Sequence, residues 1–182
     1  MNITVIGRGN VGGGLAKLWA GAGHEVQTLG QDGGDASAAD VVVVAVPGPA
    51  IADACAKVTG FAGKPAIDAT NAWGSRNEAY PSNAAEVKAI VGGPVAKSFN
   101  LNFAALYNQI AAQEAKPSSP YAADEEIAVL TEELIRDAGF EPVAAGGLEN
   151  ARALEDTLPL LFAVAQGGTG PFFYRIEAAG QL

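Results

Sequence analysis

Three glycines near the start of the chain have the spacing that phosphate binding demands. They occupy the first, third and sixth positions of Gly7-Arg8-Gly9-Asn10-Val11-Gly12. In such a turn Gly7 lets the chain leave a strand sharply. Gly9, without a Cβ, lets the backbone approach a pyrophosphate, and Gly12 lets a helix pack close to the strand. The free N–H groups and positive dipole end of that helix then face the phosphates. The spacing alone is a weak signal. It becomes a dinucleotide-binding fingerprint when it follows a strand, opens a helix and lies within a βαβ unit. The flanking residues supply that context: the run Asn2–Ile6 precedes the turn, Leu15–Gly23 has helical composition, and His24–Leu29 reads as the second strand.

Further candidates stand at the ends of later strands. Val46 and Pro47 close the run that begins at Asp40; Thr70, Asn71 and Trp73 follow the strand Pro65–Thr70; Ser98, Phe99 and Asn100 follow the strand near Pro94–Ser98. Ligands of open α/β sheets sit at the carboxyl ends of strands, near the point where strand order reverses. The amides and hydroxyls of Thr70, Asn71, Ser98 and Asn100 can hold a carboxamide or the edge of a heterocycle, or they can shape turns. Trp73 and Phe99 can flank a flat ring, or pack the core.

The same inventory excludes other chemistries. One His and one Cys rule out most His- or Cys-rich centres. His24 reads as a turn residue at the far end of the sheet, Cys55 as a small buried side chain, and Asp68 as a hydrogen-bonded structural aspartate. Lys97 reads either as a phosphate contact or as a surface lysine at a strand end. Glu149, Arg152 and Glu155 are spaced three apart on one helix face, which allows an ion-paired latch.

The elements that must position these residues alternate. After the second strand, Gly30–Ala39 is loop; Asp40–Val46 is a β-branched run suited to a strand buried on both faces. Helices are expected over 50–58, 83–90, 102–112 and 124–138, with Asp124 as N-cap and Gly139 as C-cap. Lys116–Pro120 reads as loop, Glu141–Ala145 as the last strand, and Leu148–Ala165 as a long helix kinked at Pro159. The pattern predicts an α/β fold with a mostly parallel sheet and helices on both faces. One unit is short. Gly30–Ala39 spans roughly 30 Å when extended, enough for the roughly 20 Å return to the next strand, but not enough to hold a helix and a strand as well. The edge beyond the second strand is therefore expected to be truncated.

With 182 residues, 49% hydrophobic and 17% charged, the chain is long enough for one dinucleotide-binding domain over 1–182 with a sizeable core. The formal net charge of −9 argues against nucleic acid and anionic membrane partners. No apolar run approaches the length of a membrane span, the first strand starts at Asn2, and a lone cysteine allows no internal disulfide, so a cytoplasmic protein is expected. The apolar last helix and Phe172-Phe173-Tyr174 suggest a homodimer contact.

Taken together, several motifs resemble the NADP oxidoreductases related to the NADPH-dependent reductase of the deazaflavin coenzyme F-420. They are the Gly7–Gly12 turn, Gly23-His24-Glu25-Val26, Val43–Pro47, Asp68-Ala69-Thr70-Asn71, Lys97-Ser98-Phe99-Asn100, Gly139–Val143 and Leu148–Glu155. The resemblance implies a single Rossmann domain that holds NADP(H) and exchanges hydride with a second flat redox molecule, a deazaflavin first. It places the nicotinamide end over Val46-Pro47, Thr70–Trp73 and Ser98–Asn100. The sequence departs from that pattern twice. Gly30 and Gln31 stand where the family often has a Ser-Arg pair for the NADP 2′-phosphate, and Gln113–Tyr121 is shorter than the usual insertion. A 2′-phosphate wants a guanidinium or ammonium group, yet no Lys or Arg occurs between Lys17 and Lys57. Asp32, twenty residues after Gly12, suits the free ribose diol of NAD. Arg8, inside the glycine turn, is a cation able to reach a 2′-phosphate, so the local residues leave NADP and NAD nearly even, and the resemblance tips the balance slightly to NADP(H). The alternatives are a reductase of imines or small carbonyl compounds, and a non-catalytic dinucleotide sensor.

Overall fold

The computed structural model describes residues 1–72 and 75–180. In chain order the elements are β1 (Asn2–Ile6), α1 (Asn10–Gly21), β2 (Glu25–Leu29), β3 (Gly34–Asp35), β4 (Val41–Val44), α2 (Ile51–Cys55), β5 (Val58–Thr59), β6 (Ala66–Asp68), α3 (Asn83–Val91), β7 (Val95–Lys97), a 3-10 helix (Ala104–Ala112), β8 (Ser118–Ala123), α4 (Glu125–Asp137), β9 (Glu141–Ala144) and α5 (Ala151–Val164). Seven strands form one sheet in the order β2-β1-β4-β6-β7-β8-β9. Its pairs are parallel except β7 with β8. This is the Rossmann-like α/β architecture that the alternation of elements predicted.

The strand β4 shows why the sheet is covered twice. Its side chains alternate between faces. Val41 and Val43 join the core formed with α1 and α4, whereas Val42 and Val44 join the core formed with α2 and α3. On the first side α1 turns Leu15, Ala16 and Trp19 inward, and α4 turns Ile127, Thr131, Leu134 and Ile135 inward, at the i, i+4, i+7, i+8 spacing of one helical face. Trp19 satisfies its indole N–H on the Leu134 carbonyl at 2.8 Å, and its ring meets Phe99 edge-on at 5.6 Å. Burying an aromatic of this size stabilises by about 1.5–3 kcal/mol.

The truncated edge exists: β2 ends the main sheet. The link is nonetheless more ordered than a loop. Gly33 N–H bonds back to Gly30 O at 3.1 Å, and the chain then docks on the segment after α2, with Gly34 N–H on Lys57 O at 3.1 Å and Ala36 N–H on Thr59 O at 2.8 Å. The result is a separate two-stranded sheet, β3 with β5. This pairing ends the expected helix over 50–58 at Cys55, because Val58 and Thr59 are drawn into a strand.

Two further expectations are corrected. The expected loop Lys116–Pro120 gives way to β8 from Ser118. Pro120 is tolerated there because β7 pairs only with Ala122 and Ala123, so that side carries no ladder donor for Pro120 to remove. Asp124 sits at the start of α4 but does not cap it with its side chain. Its carboxylate instead takes Val95 N–H at 2.7 Å and Lys88 Nζ at 2.6 Å, which fastens β7 to α3. The aromatic tail packs on its own chain. Phe172 packs on Phe103 at 5.3 Å, Phe173 packs against the α1–α4 core, and Tyr174 O accepts Ser118 N–H at 2.9 Å. These rings face their own chain, which leaves Leu160 and Val164 as the exposed large apolar residues of α5. Among the described residues no helix is long and apolar enough to cross a membrane.

Candidate functional site

Strand order reverses at β1. The chain moves outward to β2, then returns to place β4 on the other side of β1. The glycine turn lies at the carboxyl end of β1, at this switch point. Gly7 has φ +116°, and a Cβ there would collide with the carbonyl oxygen of Ala45, just beyond β4. A Cβ at Gly12 would collide with the Gly7 carbonyl oxygen. Those two glycines are required by the protein itself. Gly9 is different: a Cβ there would meet no atom within 4 Å. Its openness leaves the backbone accessible to a ligand, and no side chain caps the start of α1. The first-turn N–H groups that an anion would take are thus unclaimed by any cap.

Clefts run from the turn in both directions. One, of about 750 Å³, is lined by Gly7, Arg8, Gly9, Gln31, Asp32, Val46, Pro47 and Lys57 among others. It brings Arg8, Gln31 and Asp32, expected near the adenosine ribose, together with Val46 and Pro47, which were expected at the nicotinamide end and do not line the cleft over the tips of β6 and β7. The Arg8 guanidinium lies against Gly30, where any Cβ would collide with it. Lys57 Nζ donates to the Gln31 carbonyl at 3.0 Å. Among the described residues neither cation enters an ion pair. Two cations from other segments thus stand beside Gly30 and Gln31, just after β2. Lys57 was visible in the sequence only as the end of a stretch without positive charge.

The second cleft, of about 280 Å³, lies over the tips of β6 and β7 and is lined by Asn10, Val11, Asn71, Asn100, Phe103 and Phe162 among others. Asn71 Nδ2 donates to Asn100 O and Asn100 Nδ2 donates to Leu154 O, each at 3.1 Å. Both amide orientations are set by carbonyl partners, and both Oδ1 atoms are left buried without one. A buried acceptor left unpaired costs about 1–3 kcal/mol. A groove of about 720 Å³ beside α1, lined by Arg8, Asn10, Lys17 and Asn108 among others, adjoins both clefts.

Beneath the tips lies a charged cluster that the sequence did not reveal. Lys97 and Asp68 are both fully buried, paired at 2.8 Å, and they face each other in the register of β6 and β7. Lys97 Nζ also donates to Thr70 O at 2.6 Å and approaches Glu155 Oε1 to 3.5 Å. Glu155 accepts Asn83 N–H at 2.9 Å and Arg76 Nε at 2.9 Å. Two cations and two carboxylates thus lock β6, β7, α3 and α5 together, and hold the chain just before Asn71. Lys97 is neither a phosphate contact nor a surface lysine. Glu155 is not part of an intrahelical latch either; Arg152 pairs instead with Asp156 at 2.7 Å. A signal existed: two opposite charges inside apolar strands must find partners.

Three residues expected at the substrate are turned elsewhere. The Thr70 hydroxyl accepts Asn83 Nδ2 at 2.9 Å. Ser98 is buried, with its hydroxyl on Pro120 O at 3.3 Å. Phe99 is a core residue in the left-handed region, φ +62°, wedged between Trp19 and Phe140. None of the three lines the cleft over the strand tips. Trp73 lies outside the described residues. His24 bonds Asp137 at 2.9 Å, at the opposite end of the sheet. Cys55 is buried, and that burial raises its thiol pKa to about 11. Among the described residues no cluster of His, Cys, Asp and Glu could hold a metal ion.

Fold and turn together define a Rossmann-like α/β architecture, with one cleft lined by Gly9 and a second that begins at Asn10. No family model and no curated protein matches the sequence. Solved structures do. A candidate F420-dependent NADP-reductase from Arthrobacter sp. FB24 matches with a TM-score of 0.83 at 21% identity, covering 97% of this chain and 99% of that one. A hypothetical protein from Sinorhizobium meliloti matches at 0.61 and 25% identity, covering 81% and 86%. An imine reductase from Pseudomonas sp. matches at 0.69 and 14% identity; 92% of this chain covers 62% of that longer one. The architecture expected from the motifs is present, and it is shared with reductase structures.

Proposed function

We propose that the chain is an oxidoreductase that binds NADP(H), in preference to NAD(H), across the Gly7–Gly12 turn and exchanges hydride with a small flat acceptor, a deazaflavin coenzyme first. The observation that carries this reading is the open face of Gly9 in the larger cleft, with the helix N-terminus uncapped behind it. A pyrophosphate fits such a cradle. Arg8 favours the phosphorylated cofactor. The unpaired Oδ1 atoms of Asn71 and Asn100 suit the N–H groups of a carboxamide, and Asn10 and Val11 reach the same cleft from α1.

When bound, the nicotinamide supplies the hydride chemistry; the protein aligns two rings and excludes water. Val11, Leu158, Leu161 and Phe162 form the apolar wall of the cleft. The buried Lys97–Asp68–Glu155 cluster fixes the strand tips against which the rings would lie. The modest volume of about 280 Å³ favours a second reading within the same class, reduction of an imine or small carbonyl compound, in line with the imine reductase likeness. Calorimetric titration with NADPH and NADH, followed by turnover with coenzyme F-420 and with a cyclic imine, tests these readings. Tight NADPH binding with F-420 turnover is the expected result. Imine turnover alone selects the second reading, and binding without any turnover leaves a dinucleotide sensor.

A further inference from the structure

The cleft at the tip of β2 contains an arrangement that the glycine turn does not account for. Two cations converge on the two residues that end this strand and begin the next turn. The Arg8 guanidinium packs against Gly30, and a side chain at that position would displace it. Lys57 Nζ sits on the Gln31 carbonyl at 3.0 Å. Both line the same cleft of about 750 Å³, and neither is neutralised by an ion pair among the described residues. In a chain of net charge −9, two cations without ion-pair partners at one strand tip are available to an anionic ligand.

The truncated edge positions Lys57. The shortened link folds into the Gly30–Gly33 turn, and Gly34 N–H bonds the Lys57 carbonyl at 3.1 Å. A Cβ at Gly33, which has φ +73°, would collide with that carbonyl oxygen. The link therefore grips the Lys57 backbone directly, and the β3–β5 pairing continues the grip through Val58 and Thr59. The segment that a longer fold would fill with a helix and a strand here delivers a lysine.

We infer that Lys57 and Arg8 together form the recognition site for a phosphate monoester, the 2′-phosphate of NADP(H), and that Lys57 determines cofactor specificity. The inference rests on the proposed dinucleotide-dependent function and deepens it. A phosphate dianion would lie between a planar guanidinium and an ammonium point charge, a complementary pair of donors. Asp32 and Asp53 line the same cleft, and neither forms an ion pair with these cations, so both cations remain free to take a phosphate.

The test compares dissociation constants of NADPH and NADH for the unaltered protein, Lys57→Ala and Lys57→Arg, with thermal unfolding of each. The expected result is a clear NADPH preference in the unaltered protein. Lys57→Ala then weakens NADPH binding roughly tenfold, about 1.4 kcal/mol, with NADH binding unchanged, and Lys57→Arg restores the preference. Equal weakening of both cofactors would make Lys57 a prop for Gln31 and overturn the assignment. Equal affinity of the unaltered protein for NADPH and NADH would overturn it too, while leaving dinucleotide binding intact. If neither cofactor binds, the functional reading itself fails and the inference with it. Adenosine 2′,5′-bisphosphate and inorganic phosphate are titrated alongside. Strong preference for the bisphosphate supports the nucleotide; equal affinity for both would assign a free-phosphate site and overturn the cofactor assignment.

Discussion

Lys97 shows how far a single buried charge can organise this molecule. Its ammonium touches Asp68, the Thr70 carbonyl and Glu155, with no exposure to water. Removing one partner of a buried pair strands the others, at a cost of about 3–5 kcal/mol. Lys97→Ala should therefore lower stability by about that amount in urea unfolding; a loss of under about 1 kcal/mol would mean that the cluster relaxes into solvent. Cys55 offers a simpler check at the same scale. Its burial, reinforced by the negative charges of Glu86 and Asp68, raises the thiol pKa to about 11. Only the thiolate alkylates readily. Native protein should resist iodoacetamide at about pH 8 and react once unfolded, as mass spectrometry would report.

Among the elements, the β1–α1 turn separates two kinds of glycine, and paired substitutions expose the difference. Gly7→Ala forces a Cβ into the Ala45 carbonyl oxygen and into a φ of +116°. Strain and overpacking of this kind cost about 1–3 kcal/mol each, so a marked drop in melting temperature is expected. Gly9→Ala places its methyl in empty space. The melting temperature should hardly move, while dinucleotide affinity should fall at least about tenfold, because the methyl lies where the backbone would meet a pyrophosphate. Loss of stability in Gly9→Ala without loss of affinity would contradict the cradle. The truncated edge makes an analogous point: a segment too short for a helix and strand still pairs as β3 with β5.

For the whole molecule, charge sets the pH response. Hydrogen bonds from Tyr121 and then Arg136 hold the Glu132 carboxyl below its ordinary value of 4.5. At Asp156 partial burial pushes the other way, but Arg152 and Arg76 outweigh it and hold the carboxyl below 3.8. A depressed folded-state pKa contributes stability above the ordinary value and loses it as pH falls through the folded one. The urea midpoint should therefore decline steadily between about pH 5 and about pH 2, and a flat profile over that range would contradict these pairings. The tail acts at the same scale. Ser118 is bonded to Tyr174 O and to Ile176 N–H, each at 2.9 Å, and Phe172 covers Phe103. Truncation after Gly170 should expose Phe103 and increase binding of a hydrophobic dye.

The residues alone determined the strand-turn-helix at the start, the parallel sheet and the shortened edge. Those features rest on local chemistry: glycine spacing, β-branched runs and the reach of ten linking residues. Helix and strand periodicity could not show that Pro120 lies in a strand, because its partner, Val143 in β9, comes from a distant segment. Nor could it separate Asn100, which lines the cleft, from neighbouring Ser98 and Phe99, which are buried away from it. The direction of a side chain beyond a strand end depends on what packs there, and here Trp19, Pro120 and Leu154 arrive from remote parts of the chain. The juxtaposition of Arg8 with Lys57 was likewise decided only by the tertiary structure. Forty-nine positions separate them, and the turn that replaces the missing helix and strand brings them to one cleft.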